Sequence, residues 1–337
     1  MQRFQSSNRS SGRGKDEVFI FFIAVVLTLC LLMACQRSDR SEQGQTSSEL
    51  RGTISISGAW ALYPMTVKWA EEFRTLHPAV RIDISAGGAG KGMADALSGI
   101  VDLGMFSRDI MPAEVERGVW WLAVTKDAVL PTISARHSHL LQIQGRGLTR
   151  EEFRQIFITG GVKSWGQLAG LDFDTPIRVY TRSDACGAAG TWADYLGGVQ
   201  EDLQGIGVFG DPGLADAVKN DPLGIGFNNT IYIYDLGTNK KYNGLEVIPI
   251  DVNENGRIDA EENFYESMDA VMQAIAMGQY PSPPARELYF VSKGKPQQPL
   301  VIRFLEWILL EGQRFVPMAG YVPLDSVVVS NELKKLN

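Results

Sequence analysis

From Arg51 onward the chain alternates short β-rich runs with stretches of helical periodicity, and no other feature restricts the fold so much. That alternation is the signature of an α/β protein. Thr53 to Ser57 reads as a strand, Gly58 to Tyr63 as a loop, and Pro64 suits the first turn of a helix with the apolar stripe Met65, Trp69, Phe73 and Leu76. His77-Pro78 stops that helix. Val80 to Ser85 is a strand with Val80, Ile82 and Ile84 inward, Gly87-Gly88-Ala89-Gly90-Lys91-Gly92 opens a helix through Met93 and Leu97, and Val101 to Phe106 is a third strand. Ser107-Arg108-Asp109 follows it. Three strand-to-helix loops in a row are therefore small or polar at the carboxyl edge of a sheet, where open α/β sheets bind ligands. Absent side chains let backbone N–H groups at helix N-termini approach an anion. Gly-rich turns also serve plain connections, so the loops alone do not define a site.

A second segment follows the strand Val124 to Val129. Thr149 and Glu152 form a capping box ahead of Phe153, Ile156 and Phe157, with Gly160-Gly161 and Trp165 beyond. Ile177 to Thr181 is a strand that runs into Arg182-Ser183-Asp184-Ala185-Cys186-Gly187-Ala188-Ala189-Gly190 and then a helix containing Trp192, Tyr195 and Leu196. An arginine at a strand exit, beside a positive helix end, offers a planar charged donor to an oxyanion. The plainer alternative is a surface arginine paired with Asp184.

The N-terminus has its own logic. Val18 to Ala34 is an apolar run of 17 residues, broken only by Thr28 and preceded by Arg3, Arg9, Arg13 and Lys15. This is a signal-peptide pattern, and a retained membrane anchor is the competing reading. Leu32-Met33-Ala34-Cys35 resembles a bacterial lipobox, which favours a signal peptide over 1–34, lipidation at Cys35 and a membrane-held, extracytoplasmic protein. Residues 35–51, rich in Ser, Gln and Glu, read as a flexible tether. Cys30 leaves with the signal and Cys35 is consumed by lipid, so Cys186 stands alone and no internal disulfide forms. Formal charge is 32 − 39 = −7. Loss of four cations and two anions with 1–34 makes it −9, which excludes a nucleic-acid binder.

Taken in order, Gly58 to Pro64, Gly87 to Gly92, Ser107-Arg108, Arg182 to Thr191 and Ala319-Gly320-Tyr321-Val322-Pro323-Leu324 resemble the PstS-like phosphate-binding proteins of ABC transporters, over roughly residues 51–325. The resemblance implies a two-lobed α/β periplasmic-binding-protein fold of type II, with the ligand in the cleft. One lobe is then 51–126 plus 287–337 and the other 127–286, with the proline-rich Tyr280 to Arg286 leading back across. It also implies a monomeric receptor that delivers phosphate, or a related tetrahedral oxyanion, to ABC permease subunits. By carry-over the site residues are Ala59, Trp60, Ala61, Gly88, Ala89, Gly90, Ser107, Arg108, Arg182, Asp184, Cys186, Gly187 and Ala188, with Arg182 the charged fork and Gly187 a backbone donor. The chain departs from the family where hydroxyl residues are common: Ala59-Trp60-Ala61, Ala89 and Cys186-Gly187-Ala188 supply none. An aspartate that accepts the proton of hydrogen phosphate would have to be Asp109 or Asp184. Trp60 at the cleft mouth could suit a bulkier oxyanion or phosphoester.

Asp251 to Glu262 matches the twelve-residue EF-hand loop. Oxygens of Asp251, Asn253 and Asn255, the carbonyl of Arg257, Asp259 and a bidentate Glu262 can wrap one calcium ion, while Gly256 allows the sharp turn. With a strand at Glu246 to Ile250 before it, and helical periodicity only after it through Met268, Val271 and Ile275, the loop reads as a structural calcium clip. Enzymatic readings are weaker. Gly87 to Gly92 fails the Walker A spacing, and Gly205-Ile206-Gly207-Val208-Phe209-Gly210 lacks a clear preceding strand and meets Pro212. His137 and His139 sit in a polar loop, and Cys186 has no histidine nearby in sequence. The alternative to a transport receptor is a lipoprotein of the same fold acting as an oxyanion sensor or phosphoesterase.

Overall fold

The computed structural model describes residues 50–337. The readings made for the signal segment, the lipidated Cys35 and nearly all of the tether lie outside the described residues. Among the described residues no helix is long and apolar enough to cross a membrane.

The chain opens with β1 (Gly52–Gly58), α1 (Tyr63–Leu76), β2 (Val80–Ala86), α2 (Ala89–Ser98) and β3 (Leu103–Phe106). β1 lies between β2 and β3, parallel to both, so the three loops that follow these strands emerge at one edge. Pro64 sits in the first turn of α1, whose Met65, Trp69 and Phe73 are buried, while Leu76 is 51% exposed. Leu76 thus leaves the expected stripe; the ring of His77 lies tilted against Phe73 instead, 4.6 Å between centroids.

α3 (Pro112–Glu116) leads into β4 (Val119–Ser134), of which the strand expected at Val124 to Val129 is only the middle. Both faces of β4 are largely buried, and a strand covered on both sides reads as a continuous apolar run without clear ends. Next come α4 (Leu140–Arg146), α5 (Arg150–Phe157), β5 (Arg178–Arg182), α6 (Gly187–Tyr195), β6 (Ile206–Val208), α7 (Asp211–Asn220) and β7 (Gly224–Asn229). After the short β8 (Tyr234–Asp235), β9 (Lys240–Lys241) and β10 (Leu245–Val247), the chain passes through α8 (Met268–Ala276) and β11 (Ala285–Lys293) to α9 (Pro299–Leu310) and α10 (Ser326–Leu336).

The strand order is β2-β1-β3-β11-β4-β7-β5-β6, with β10 added to β4. β4 pairs antiparallel with β11 from Val119 to Ala128 and with β7 from Val129 to Ile133, so one strand belongs to both halves of the sheet. β11 brings the chain back between β3 and β4. In the first half Phe73 packs on Phe304 and Trp307; in the second Trp192 packs on Phe153, Phe157 and Phe227. Each such large ring contributes about 1.5–3 kcal/mol on burial. Thr149 caps α5 with Glu152 reciprocating, as the spacing predicts. His137, expected on a solvated turn, is buried against Trp165, 5.5 Å between ring centroids. An apolar pocket that admits the imidazole explains the difference, and burial also lowers its pKa.

Candidate functional site

The loops after β2, β5 and β6 meet around Arg182. The guanidinium, at the end of β5, has no exposed side-chain surface. It donates to Asp184 from Nε (2.9 Å) and Nη2 (2.6 Å), and Nη1 lies 2.7 Å from Asp211 Oδ2. The pairing with Asp184 is therefore real, but it is a buried pair and not the surface pair of the plainer reading. Burial opposes the arginine's charge; Asp211 and Asp184 more than offset this and hold it protonated. Asp184 also accepts the Gly210 N–H at 3.2 Å.

Gly88, with φ of +92°, tucks the start of α2 under this pair: a Cβ there would stand 2.9 Å from the Ala185 carbonyl oxygen and 3.0 Å from Asp184 Oδ2. Only glycine combines that backbone with that closeness. Gly90 N–H donates to the Ala185 carbonyl at 3.1 Å, which ties the second loop to the fourth. A Cβ on Gly187 would lie 2.1 Å from both the carbonyl and the hydroxyl oxygen of Ser107, so the start of α6 rests on the loop after β3. Ala89 and Ala188 are buried at the two helix starts.

The first loop closes from above. Ala59 N–H donates to the Met105 carbonyl, the Trp60 carbonyl accepts from Tyr232 (3.0 Å), and the Ala61 carbonyl accepts from Tyr321 (2.7 Å), which belongs to the closing Ala319–Leu324 motif. The Trp60 ring meets Phe209 edge-on at 6.4 Å. Arg108 stands apart. Its guanidinium forks onto Glu114 (3.1 and 2.8 Å) over the ring of Phe106 and does not join Arg182. Asp109 is exposed on a neighbouring cavity of about 900 Å³, which Arg108, Lys126, Tyr280 and Arg286 also line. That cavity touches the loops from behind through Gly90, Ala185 and Cys186, and Arg182 does not line it.

Cys186 is 5% exposed and its sulfur caps α6, accepting the Ala189 N–H at 3.3 Å. Burial pushes the thiol up to about 12. A protonated, capped thiol is no nucleophile. Native protein treated with iodoacetamide near pH ~8 should remain unmodified at Cys186, and denaturant should release it; peptide mass mapping reads both.

Asp211, Asn229, Arg286 and Asp127 were not expected at the site. Pro212, an interruption by sequence, instead sits in the first turn of α7, so Gly210-Asp211-Pro212-Gly213 is a fifth strand-to-helix turn of the same kind. The signal was there: glycine before a helix start with proline in its first turn. Behind it, Asn229 donates to Asp211 (2.6 Å), Arg286 donates to Asn229 and Thr191, and Arg286 pairs with Asp127 across the β4–β11 ladder (2.8 Å).

The Asp251–Glu262 loop has the turns its spacing predicts. Asp251 accepts from Asn255 and Gly256 N–H, Asn253 from Asn255 N–H, and Asn255 from Arg257 N–H. Glu262 accepts from Val252, Asn253 and Asp259 N–H, while Asp259 takes both asparagine amides and Arg257. Among the described residues no three His, Cys, Asp or Glu side chains gather closely enough to share a metal ion. The donor set, seven oxygens of hard type from six residues, fits calcium in kind.

A profile of the PBP superfamily domain matches residues 43–311. The chain belongs to the PBP superfamily. Within that superfamily it is similar to the phosphate-binding protein PstS of Bacillus subtilis, 22% identical over 94% of this chain and 98% of the relative, and to PstS of Pseudomonas aeruginosa, 26% identical over 87% and 89%. Among solved structures it resembles a phosphate ABC transporter substrate-binding protein with bound phosphate from Clostridium perfringens, with a TM-score of 0.66 at 22% identity, covering 81% of this chain and all of that one. The α/β periplasmic-binding-protein fold is thereby shared, and these PBP relatives are binding proteins.

Proposed function

We propose that the chain is an extracytoplasmic solute-binding protein that holds a tetrahedral oxyanion, phosphate first, and hands it to the permease of an ABC transporter. One observation carries this reading: loops from both halves of the sheet converge on Arg182, whose Nη1 is buried without an aligned hydrogen-bond acceptor. A buried donor of that kind calls for a partner. The relatives named PstS support the choice of phosphate. Residues 51–126 with 287–337, and 127–286, act as two lobes hinged on β4 and β11, and closure joins Gly90 to Ala185 and Gly187 to Ser107. Donors are backbone N–H groups of α2 and α6, with Ser107 and Arg182, because the hydroxyl residues are missing. The protein works as a monomer held to the membrane by lipid on Cys35. Calorimetric titration with phosphate, sulfate, arsenate and a phosphonate tests it; no binding to any of them would refute it.

Calcium at Asp251–Glu262 is a separate proposal, supported by the loop's turn geometry and seven-oxygen donor set. The ion would draw Glu262 from the N–H groups of Val252 and Asn253, so binding belongs in the weak extracellular range of ~10⁻⁴ to 10⁻³ M. At a hundred times its Kd calcium should add ~2.7 kcal/mol of stability. The expected result is a melting temperature that rises with calcium and returns with chelator, while Asp251→Ala shows no such rise.

A further inference from the structure

The charge around Arg182 does not suit a dianion as it stands. One guanidinium faces two carboxylates, +1 − 2 = −1, and the adjoining Arg286–Asp127 pair adds nothing. In a buried site that net charge repels what Arg182 is placed to attract. One of the two carboxylates is better fixed as an anion than the other. Asp184 accepts three N–H donors, from Arg182 Nε and Nη2 and from Gly210. Asp211 has Arg182 near Oδ2 without hydrogen-bond alignment, and Asn229 on Oδ1. Arg286 donates to the Asn229 side-chain oxygen, so the Asn229 amide nitrogen has to face Asp211 Oδ1. Oδ2 is the oxygen left to take a proton.

We propose that Asp211 couples anion binding to protonation at this site: it takes up one proton on Oδ2 as an oxyanion binds Arg182, so the chain binds anion and proton together. The proposal rests on the oxyanion reading above. The proton comes from solvent and returns to it on release. Uptake moves the cluster from −1 to 0 and frees Nη1 to donate to the anion.

The ionisable groups around Asp211 are Arg182, Asp184 and Cys186 from the β5–α6 connection, Arg286 from β11, and the phenols of Tyr232 and Tyr321. Burial raises the Asp211 carboxyl, and Arg182 and Arg286 pull it back only in part. Burial also holds the thiol and both phenols protonated. An incoming anion raises Asp211 further. Affinity therefore tightens as pH falls through the window between the free and bound values, by up to about tenfold per pH unit, and is flat outside it.

The test is titration of the full chain with inorganic phosphate by calorimetry at several pH values from ~6 to ~8.5, in buffers of differing ionisation enthalpy and with phosphate's own proton exchange subtracted. Somewhere in this range wild type should take up as much as one proton, and Asp211→Asn should take up none while binding about tenfold tighter or more at the upper end. Phosphate binding by wild type with no proton taken up, or uptake unchanged in Asp211→Asn, would overturn the proposal. The wild-type uptake is read without any variant, so a poorly folded Asp211→Asn leaves the test intact. If neither chain binds phosphate, the oxyanion reading fails and this proposal falls with it.

Discussion

Arg182→Ala should abolish measurable phosphate binding and lower stability by about 3–5 kcal/mol, the cost of leaving a buried charge without its partner. The reason is geometric. Asp184 and Asp211 both face the space the guanidinium would vacate, and among the described residues neither has another cation within ion-pair distance. Chemical denaturation followed by fluorescence reads the stability. A triple variant with Asp184→Asn and Asp211→Asn as well should recover much of that stability but none of the binding, because the neutral amides no longer repel each other while the fork is still gone. Loss of binding with unchanged stability in the single variant would mean that the pair is open to water, contrary to its burial.

Gly187→Ala should weaken phosphate binding by roughly 5- to 150-fold, the equivalent of ~1–3 kcal/mol of overpacking placed entirely on the closed form. The added methyl group would meet backbone as well as side chain on Ser107, at 2.1 Å, so no rotamer change relieves it. The halves must stay apart at that point. Scattering in solution should show a larger radius of gyration for the variant in saturating phosphate, with circular dichroism unchanged. Equal affinity in both proteins would mean that the α6 start and the Ser107 loop do not meet when ligand is bound.

Much of the architecture was legible because local chemistry and global fold agree along this chain. Period-two runs between glycine-rich turns mark β1, β2 and β3, and the Thr149–Glu152 pair marks α5. Loops that turn at Gly88 or end in Gly187 announce themselves, since nothing larger fits where those glycines lie. The boundaries were less legible. β3 starts at Leu103, two residues later than its apolar run, and β4 extends far beyond the Val124–Val129 segment because burial on both faces removes alternation.

The partners of Arg182 were harder to foresee. Asp184 is two residues away in sequence, whereas Asp211 reaches the site only because β6 and β7 flank β5. Asn229, Arg286 and Asp127 join it through pairings of distant strands, and a single chain carries no local trace of such pairings. Arg108 stands apart from Arg182 for the opposite reason. Its neighbourhood looked right, but Glu114 on the next helix offers both oxygens and captures it.

The course of β11 has a consequence for how the chain is made. The strand that covers the flank of β3 is encoded well over a hundred residues downstream of it, after the whole of the second half. During synthesis, then, β1 to β3 emerge with an unsheltered margin that no later neighbour protects until the last quarter of the chain arrives. A nascent polypeptide of this design stays pliable until nearly complete, and one that stalls before Ala285 offers a ready surface for misassociation with its own copies.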